Sequence, residues 1–322
     1  MSDTDYIVPA GSPPQRLDVF LVHASSRGSR DRVRELIAAD AVRVNGRRRP
    51  KGTLLQPGDV VRVREPDAVG QLAANAALQV SVLHEDADTI VVEKPAGMPS
   101  HALRADETDT LANFLLARYP ELRAVGRDSR EPGLVHRLDT NTSGALLVAR
   151  TDAAYAALRE QFTRRAVVKE YVAIVDGDVA EAGEIRTPLA HDRRDPRRML
   201  ACRSEDEASA RRARPAVTRY RPMERFGSQT LMGIEIPTGV RHQIRVHFAE
   251  IGHPIVGDQL YGGSDAARQL LHAQRITFEH PGSGKRLTVE SPLPADLVAY
   301  LENLRTGSRR HAGRSRQRRR SR

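Results

Sequence analysis

The chain has 322 residues, of which 39% are hydrophobic and 29% are charged, and its net charge is +10. No apolar run approaches the roughly 18 residues of a membrane-spanning helix, which excludes a membrane protein and indicates a soluble one. Its single cysteine, Cys202, excludes an internal disulfide framework and a thiolate metal cluster. The acidic start of the chain lacks the basic and apolar regions of a signal peptide, so we expect a cytoplasmic protein.

The positive charge lies mainly at two ends of the chain. Residues 305–322 contain nine arginines and no acidic residue, and residues 12–65 carry +6. Residues 66–304, in contrast, carry −3. This distribution predicts phosphate contacts at both ends, with residues 305–322 as a disordered basic arm that adds nonspecific affinity.

The N-terminal segment 12–65 has the pattern of a small domain. Two short helices are followed by short strands, with a tight turn predicted at Asn45-Gly46. Arg30 and Arg34 are spaced i, i+4, so the second helix presents both from one side. The segment resembles the RNA-binding domain first known from the fourth small-subunit ribosomal protein. That resemblance implies that Arg30 and Arg34 contact RNA phosphates, which position the RNA without reading bases.

Residues 66–78 are rich in small side chains and are interpreted as a linker to a large domain, residues 79–304. Strand-like runs outnumber helical ones in this domain, and they do not alternate regularly with helices. This pattern predicts an α+β fold with a mixed, mainly antiparallel sheet. Residues 193–214 are polar and are interpreted as a surface loop whose charges need no special explanation. Helices are expected at 110–119, at 151–165, between Gly239 and Gly252, and at 294–304.

Several common catalytic patterns are missing from the sequence. The segment 282–285 lacks the spacing of a P-loop, and no glycine-rich dinucleotide fingerprint follows the first strand. His242, His247 and His253 do not have the spacing of a metal site. Ser143 is not in the turn of a hydrolase nucleophile. We therefore expect neither a metal nor a cofactor.

The segment 136–144, which reads HRLDTNTSG, is the strongest remaining candidate for chemistry. Asp139 is followed by four turn-forming residues and lies between two strand-like runs, which places its carboxylate on a loop held by a sheet. Such a carboxylate can act on a substrate, or it can cap the backbone of its own turn. The residues alone leave both interpretations open.

The string HRLDTNTSGALLVAR resembles the signature HRLDxxTSG of the RluA-type pseudouridine synthases, which isomerise uridine within RNA. Three further segments resemble motifs of this family, and the likeness runs in family order from about residue 80 to residue 304. Several motifs in the right order are more specific than any one of them. The segments are KPAG at 94–97, KEYVAIVDG at 169–177 and TGVRHQIRVHFAEIGHPIVGDQLYG at 238–262.

The resemblance implies a pseudouridine synthase fold and roles for individual residues. Asp139 would be the catalytic aspartate, Tyr171 would pack on the target base, and Arg245 would pair with the aspartate. An aspartate, with a reference pKa near 3.9, is ionised at neutral pH, and a nearby guanidinium favours that form. Substrate-binding roles are expected for Lys94, His136, Arg137, Arg241 and His242, besides Arg30 and Arg34.

One position departs from the family pattern. The family usually has an arginine directly after the Thr-Gly pair of its last motif, but here Val240 takes that place and Arg241 follows it. A phosphate contact at this position therefore does not carry over unchanged.

The family resemblance implies an isomerase that flips a uridine out of its RNA. We expect the target to be large-subunit ribosomal RNA, within pre-ribosomal particles, and the enzyme to be a monomer. One alternative is a synthase that modifies tRNA. Another is a non-catalytic RNA-binding factor for ribosome assembly that keeps the fold; the presence of Asp139, Tyr171 and Arg245 counts against it.

Overall fold

A computed structural model describes residues 2–24, 30–65, 72–104 and 106–320 of the chain. The chain divides into two compact units: Met1–Leu78 together with His101–Leu134, and Gln79–Ser100 together with Val135–Arg322. Within the described ranges, no helix has both the length and the apolar character needed to cross a bilayer.

The first unit contains a small mixed domain and a helical segment. Antiparallel strands form one sheet in the order β1-β6-β3-β4, and β2 pairs with β5. Helices α1 and α2 cover the apolar core, to which Leu17, Leu21 and Val61 belong. Its elements are β1 (Ser2–Ile7), β2 (Gln15–Arg16), α1 (Leu17–Ala24), α2 (Arg30–Ala38), β3 (Val42–Val44), β4 (Arg47–Arg48), β5 (Leu54–Leu55), β6 (Val60–Glu65), α3 (Leu111–Arg118) and a 3-10 helix (Pro120–Ala124).

Two local features of this unit can be compared with the sequence. The tight turn at Asn45-Gly46 is confirmed, since both residues have positive φ between β3 and β4. Strand β1, in contrast, is not predicted from the sequence. It pairs with β6, and its Asp5 forms a two-bond ion pair with Arg62 at 2.7 Å. A strand at a sheet edge depends on its partner strand, so its own sequence pattern is weak.

The second unit is built on a nine-stranded sheet. The strand order is β11-β14-β15-β10-β16-β9-β8-β7, with β17 also paired to β16. All of these pairings are antiparallel except β16 with β9, so the expected α+β class is confirmed. The elements are β7 (Ser81–Glu85), β8 (Thr89–Lys94), β9 (Ser143–Ala149), α4 (Asp152–Thr163), β10 (Val168–Asp176), β11 (Gly183–Ile185), β12 (Leu189–His191), β13 (Met199–Ala201), α5 (Glu205–Arg211), β14 (Thr218–Arg225), β15 (Gln229–Glu235), α6 (Gln243–Glu250), β16 (Leu271–Glu279), β17 (Arg286–Glu290) and α7 (Ala295–Arg320).

The parallel contact between β9 and β16 explains one glycine of the 136–144 segment. Gly144 has φ +119°, and a Cβ at this position would overlap the backbone of Ala273. Only glycine adopts this conformation readily and lets the two strands approach. Gly144 therefore places β9, and the loop before it, in the centre of the sheet.

The interpretation of residues 193–214 as a surface loop was wrong. Strands β12 and β13 pair across this region, and α5 follows them. Ser204 caps α5 by accepting a hydrogen bond from Glu207 N at 3.2 Å. The hairpin and the helix are too short and too polar to give a clear hydrophobic period.

The last element of the described chain is helix α7. Helix α7 packs on the sheet through Leu297 and Leu301 and continues to Arg320. Arginine has a high helix propensity, and no proline follows Pro294 to stop the helix. The last apolar side chain of α7 that packs on the core is Leu304.

Candidate active site

Asp139 lies in the loop 136–142, directly before the central strand β9. Thr142 N donates a hydrogen bond to Asp139 O at 3.0 Å, which closes a turn around the carboxylate. Gly97 N donates to Thr140 O at 2.9 Å. The backbone on both sides of the Asp139 side chain is therefore fixed by hydrogen bonds.

Lys94 holds the same loop through hydrogen bonds to backbone carbonyl oxygens. Its fully buried Nζ donates to the carbonyl oxygens of Pro95 at 2.8 Å, Met98 at 2.7 Å and Thr140 at 2.9 Å. Burial lowers the pKa of Lys94 to about 7, while the negative charge of Asp139 opposes this change. Three carbonyl acceptors match the three protons of the ammonium form, so these hydrogen bonds stabilise that form against the effect of burial. Lys94 therefore braces the loop and has no proton left for a phosphate.

Arg245 joins Asp139 to a second, more deeply buried carboxylate. Its Nη1 lies 3.1 Å from Asp139 Oδ2. Its Nε and Nη2 lie 2.6 Å and 2.9 Å from the two oxygens of Asp258, which is 1% exposed. This bidentate pair fixes the plane of the guanidinium, so that the remaining nitrogen points at Asp139. Arg245 is the third residue of α6, so this helix fixes the position of its backbone.

The surroundings of Arg245 keep it charged. Burial by itself lowers the pKa of Arg245, but the hydrogen bonds and charges of Asp258 and Asp139 outweigh burial and raise it above its usual value. Its Cζ lies 5.1 Å from the centre of the Tyr261 ring, a distance at which cations and aromatic faces attract each other. A permanent positive charge therefore faces the Asp139 carboxylate.

Tyr171 lies on β10, between β15 and β16 in the sheet. The pairing of β10 with β16 shifts register between Glu170 and Tyr171, and such bulges redirect side chains near active sites. Burial raises the pKa of Tyr171 well above its usual value, and the charge of Asp139 raises it further. Among the described residues, its hydroxyl has no hydrogen-bond partner. Tyr171 thus offers a protonated aromatic side chain within the electrostatic influence of Asp139.

His242 is a neutral donor beside Asp139. Burial lowers its pKa to about 4. Its Nδ1 lies 2.8 Å from Tyr261 Oη, which also accepts a hydrogen bond from Met199 N at 2.9 Å. We assign the Tyr261 hydroxyl as the donor to His242 Nδ1, which places the ring proton on Nε2. This Nε2 lies 3.9 Å from Asp139 Oδ2.

His136 serves the sheet and is not placed to contact phosphate. Its Nε2 accepts a hydrogen bond from Leu147 N of β9 at 2.9 Å, and its ring stacks on Phe162 with centroids 5.0 Å apart. Burial, with the charge of Lys169 as the next contribution, lowers the pKa of His136 to about 3. A neutral imidazole in this position supports β9.

Arg137 and Arg241 are both exposed, and the contacts of Arg241 define its role. Its Nη1 donates to Pro196 O at 3.0 Å and its Nη2 to Arg197 O at 3.2 Å. Arg241 therefore holds the tip of the β12–β13 hairpin. Arg137 lies two residues before Asp139, on the outside of the loop.

Arg30 and Arg34 belong to α2 in the first unit. Arg30 begins the helix, and its side chain lies outside the described residues. Arg34 is exposed and lines a surface pocket with His23 and Lys51. The second unit, which contains Asp139, includes neither arginine.

The three histidines that lie close together in the sequence form hydrogen bonds with different parts of the fold. His247 bonds Thr218 Oγ1 at 2.7 Å, and His253 bonds Asp176 O at 2.9 Å. In the described part of the chain, no group of three or more histidine, cysteine or acidic side chains is arranged to hold a metal ion.

Comparison with known families places this site in context. Residues 88–250, just over half of the chain, match the family described as RNA pseudouridylate synthase. The chain belongs to the RNA pseudouridine synthase family. Residues 15–61 match the S4 domain. Both resemblances drawn from the sequence motifs are thereby confirmed, and the chain is an RNA pseudouridine synthase, an isomerase, with an N-terminal S4 domain.

Relatives of this pseudouridine synthase cover nearly its whole length. It is 36% identical to "Uncharacterized RNA pseudouridine synthase YlyB" of Bacillus subtilis, over 95% of this chain and 99% of the relative. It is 37% identical to "Ribosomal large subunit pseudouridine synthase D" of Xanthomonas campestris, over 95% and 94% of the two chains. Among solved structures, it resembles "Human RNA Pseudouridylate Synthase Domain Containing 4" with a TM-score of 0.56 and 26% identity, covering 70% of this chain and 93% of the human one.

At the position where the synthase family usually has arginine, Val240 is buried. It packs in an apolar cluster with Met199, Val246 and Tyr261. No charge is therefore available at position 240, and Arg241 does not replace it, because its guanidinium bonds the hairpin carbonyls.

Two residues of the synthase site, Asp258 and Tyr261, were not predicted from the sequence. Both lie in the segment GDQLYG, at the end of the last family motif. An aspartate and a tyrosine in a glycine-rich turn give no periodic signal of burial. Their role depends on the fold, which brings them against Arg245 and His242.

Proposed function

We propose that this pseudouridine synthase uses Asp139 as its catalytic carboxylate on a uridine that is flipped out of the RNA. The observation that carries the proposal is the 3.1 Å contact between Asp139 Oδ2 and Arg245 Nη1, with Arg245 itself held by Asp258. The Asp139 side chain is 23% exposed, so a substrate can reach it.

The isomerisation breaks the bond between uracil N1 and ribose C1′ and forms a bond from C1′ to uracil C5. The C5 proton leaves, and N1 ends with a proton, so the atoms balance without a co-reactant. Asp139 supplies the oxygen nucleophile, since covalent catalysis splits a difficult exchange into easier steps. Arg245 places a positive charge 3.1 Å from this carboxylate.

Tyr171 holds the detached base during the rotation. Flipping a nucleotide out of a helix costs a few kcal/mol. Stacking on an aromatic ring returns about 1–3 kcal/mol per base. A nearly flat aromatic face also lets the uracil turn without leaving the pocket. Tyr171, buried in β10 and close to Asp139, fits this role.

The proton that leaves C5 needs a base within the pocket. The raised pKa of Tyr171 keeps its hydroxyl protonated at neutral pH. His242 is neutral and presents its Nε2 proton as a donor, and Lys94 uses all its protons on carbonyls. We therefore assign removal of the C5 proton to the Asp139 carboxylate. His242 is assigned to the substrate as a hydrogen-bond donor.

We assign the RNA target to the large ribosomal subunit. Relatives from Xanthomonas campestris and Pseudomonas aeruginosa carry the name "Ribosomal large subunit pseudouridine synthase D", at 37% and 33% identity. The S4 domain adds a second RNA-binding element. On this proposal the enzyme acts in the cytoplasm, on RNA in pre-ribosomal particles. We propose that it acts as a monomer, because Asp139, Arg245 and Asp258 all come from one chain.

The decisive experiment maps pseudouridines across all RNA of cells with and without the gene. Loss of specific uridine modifications in large-subunit ribosomal RNA is the expected result, and restoring the gene should restore them. Loss confined to tRNA would contradict the ribosomal assignment and select the tRNA-modifying alternative. An unchanged map would contradict catalysis and favour a non-catalytic assembly factor.

A further inference from the structure

The tip of the β12–β13 hairpin, residues 192–198, places one arginine beside the active site. Asp192 N donates to Arg198 O at 3.1 Å, and Arg198 N donates to Asp195 O at 2.9 Å. These bonds close the turn and fix the backbone of Arg198 directly before β13. The charges in this segment therefore have a defined place, unlike those of a mobile surface loop.

The Arg198 guanidinium lies over a ring that is part of the site. Its Cζ is 5.4 Å from the centre of the Tyr261 ring, and Arg245 Cζ is 5.1 Å from the same centre. Tyr261 Oη bonds His242, whose other nitrogen faces Asp139. The Tyr261 side chain thus contacts Arg198, Arg245 and His242.

Arg198 differs from the neighbouring arginines in its polar contacts. Arg245 is paired with Asp258, and Arg197 forms a two-bond pair with Asp195 at 3.0 Å and 2.9 Å. Among the residues that the structure describes, Arg198 has no carboxylate within ion-pair distance, and its buried Nε proton has no acceptor. Arg198 Nε is therefore a buried donor without a hydrogen bond in the described part of the chain. A guanidinium held by stacking alone keeps its fork of donors for an anion.

The two positions where the family pattern suggests a phosphate contact do not provide one here. Val240 is apolar and buried in the cluster that contains Tyr261. Arg241 uses its Nη atoms on the carbonyls of Pro196 and Arg197, at the tip that carries Arg198. Arg241 therefore holds the hairpin in place, and Arg198 brings a positive charge to the Tyr261 side of the pocket.

We propose that Arg198 binds a backbone phosphate of the RNA next to the flipped uridine, and so replaces the charge that the family usually places at position 240. The phosphate oxygens would accept from the two Nη atoms of Arg198, while its Nε stays buried. Two parallel N–H···O bonds to one phosphate fix the direction of the backbone as it enters the site. This inference rests on the proposed function, in which a uridine is brought to Asp139.

The test compares Arg198→Gln with Arg194→Gln, which removes an exposed arginine from the same hairpin tip. Pseudouridine formation is measured in total RNA from cells that lack the gene, as a function of enzyme and salt concentration. For Arg198→Gln we expect the half-saturating enzyme concentration to rise by about tenfold, as for loss of charge-assisted bonds. The slope of log affinity against log salt should fall by about 0.7, and the saturated rate should stay within about twofold. Arg194→Gln should leave all three quantities near wild type.

Arg198→Lys adds a second comparison, because it keeps the charge and loses the planar fork. It should keep the salt slope and show a smaller rise in the half-saturating concentration. Matching melting temperatures confirm that the variants fold.

Two results would overturn the proposal. The first is that Arg198→Gln leaves both the half-saturating enzyme concentration and the salt slope unchanged. The second is that it lowers the saturated rate at an unchanged half-saturating concentration, which would mean that Arg198 acts by positioning Tyr261. If the wild-type enzyme forms no pseudouridine in total RNA, the proposed function fails. Binding of the two glutamine variants to poly(U) still decides the role of Arg198.

Discussion

Replacing Asp258 with asparagine tests whether its negative charge, and not only its shape, is needed to position Arg245. Asp258→Asn keeps the volume of the side chain and removes the carboxylate that accepts two hydrogen bonds from Arg245, at 2.6 Å and 2.9 Å. Loss of one partner from a buried pair costs about 3–5 kcal/mol of stability, because the remaining charge stays buried. Arg245 is then free to turn toward Asp139 as its remaining carboxylate. A displacement of this kind in an active site reduces turnover by about 100-fold.

The assay combines urea unfolding with single-turnover pseudouridine formation. Glu250→Gln is a matched control, because Glu250 lies on the same helix α6 and forms a similar bidentate pair with the exposed Arg203, at 2.6 Å and 3.2 Å. Exposed pairs contribute little to stability, so this variant should behave like the wild type. If Asp258→Asn loses no more activity than Glu250→Gln, the positioning role of Asp258 is refuted.

Three further predictions concern Lys94, Tyr171 and three buried histidines. Lys94→Met removes the brace from three carbonyls and should lower the single-turnover rate at least about tenfold, since a loop 1 Å out of place loses catalysis; a wild-type rate would contradict the bracing role. Tyr171→Phe should keep most of the activity, whereas Tyr171→Ala should lose about 1–3 kcal/mol of base stacking. Equal losses in the two Tyr171 variants would show that the hydroxyl takes part. His136, His242 and His272 have pKa values lowered by burial to about 3, 4 and 4, so only the unfolded chain takes up their protons as pH falls below 6.5. Stability should therefore fall between pH 6.5 and 5 with a slope that approaches about 4 kcal/mol per pH unit, and a flat profile in that window would contradict it.

Helices and strands were predictable where strong hydrophobic periodicity was bounded by residues that typically begin or end an element. Helix α3 begins after Thr110, whose side chain accepts from Asn113 N, and helix α4 begins after Thr151 in the same way. Strand β1 and the β12–β13 hairpin were missed. Their stability depends on partners that are distant in the sequence or on short pairings, and neither leaves a hydrophobic period.

The chemical centre of the site was predictable only through its motifs. From the residues alone, a carboxylate that caps its own turn was the favoured interpretation of Asp139, and its backbone does accept a hydrogen bond from Thr142 N. The motif order selected Asp139, Tyr171 and Arg245, which all lie in the second unit. The expected contacts of Lys94 and His136 with substrate find no support in the geometry, because both side chains are used to hold backbone. Whether a polar side chain binds the protein's own backbone or a substrate depends on its burial, which the residue type does not reveal.

The measurement that tests the central claim most directly is the activity of Asp139→Asn on total RNA from cells that lack the gene. The substitution keeps the shape of the side chain and removes the nucleophilic carboxylate. RNA binding should stay within about twofold of the wild type, since phosphate contacts dominate RNA affinity, while pseudouridine formation disappears. Asp106→Asn, at an exposed acid, serves as the control and should remain active. A purified Asp139→Asn enzyme that still forms pseudouridine at the wild-type rate would contradict the account.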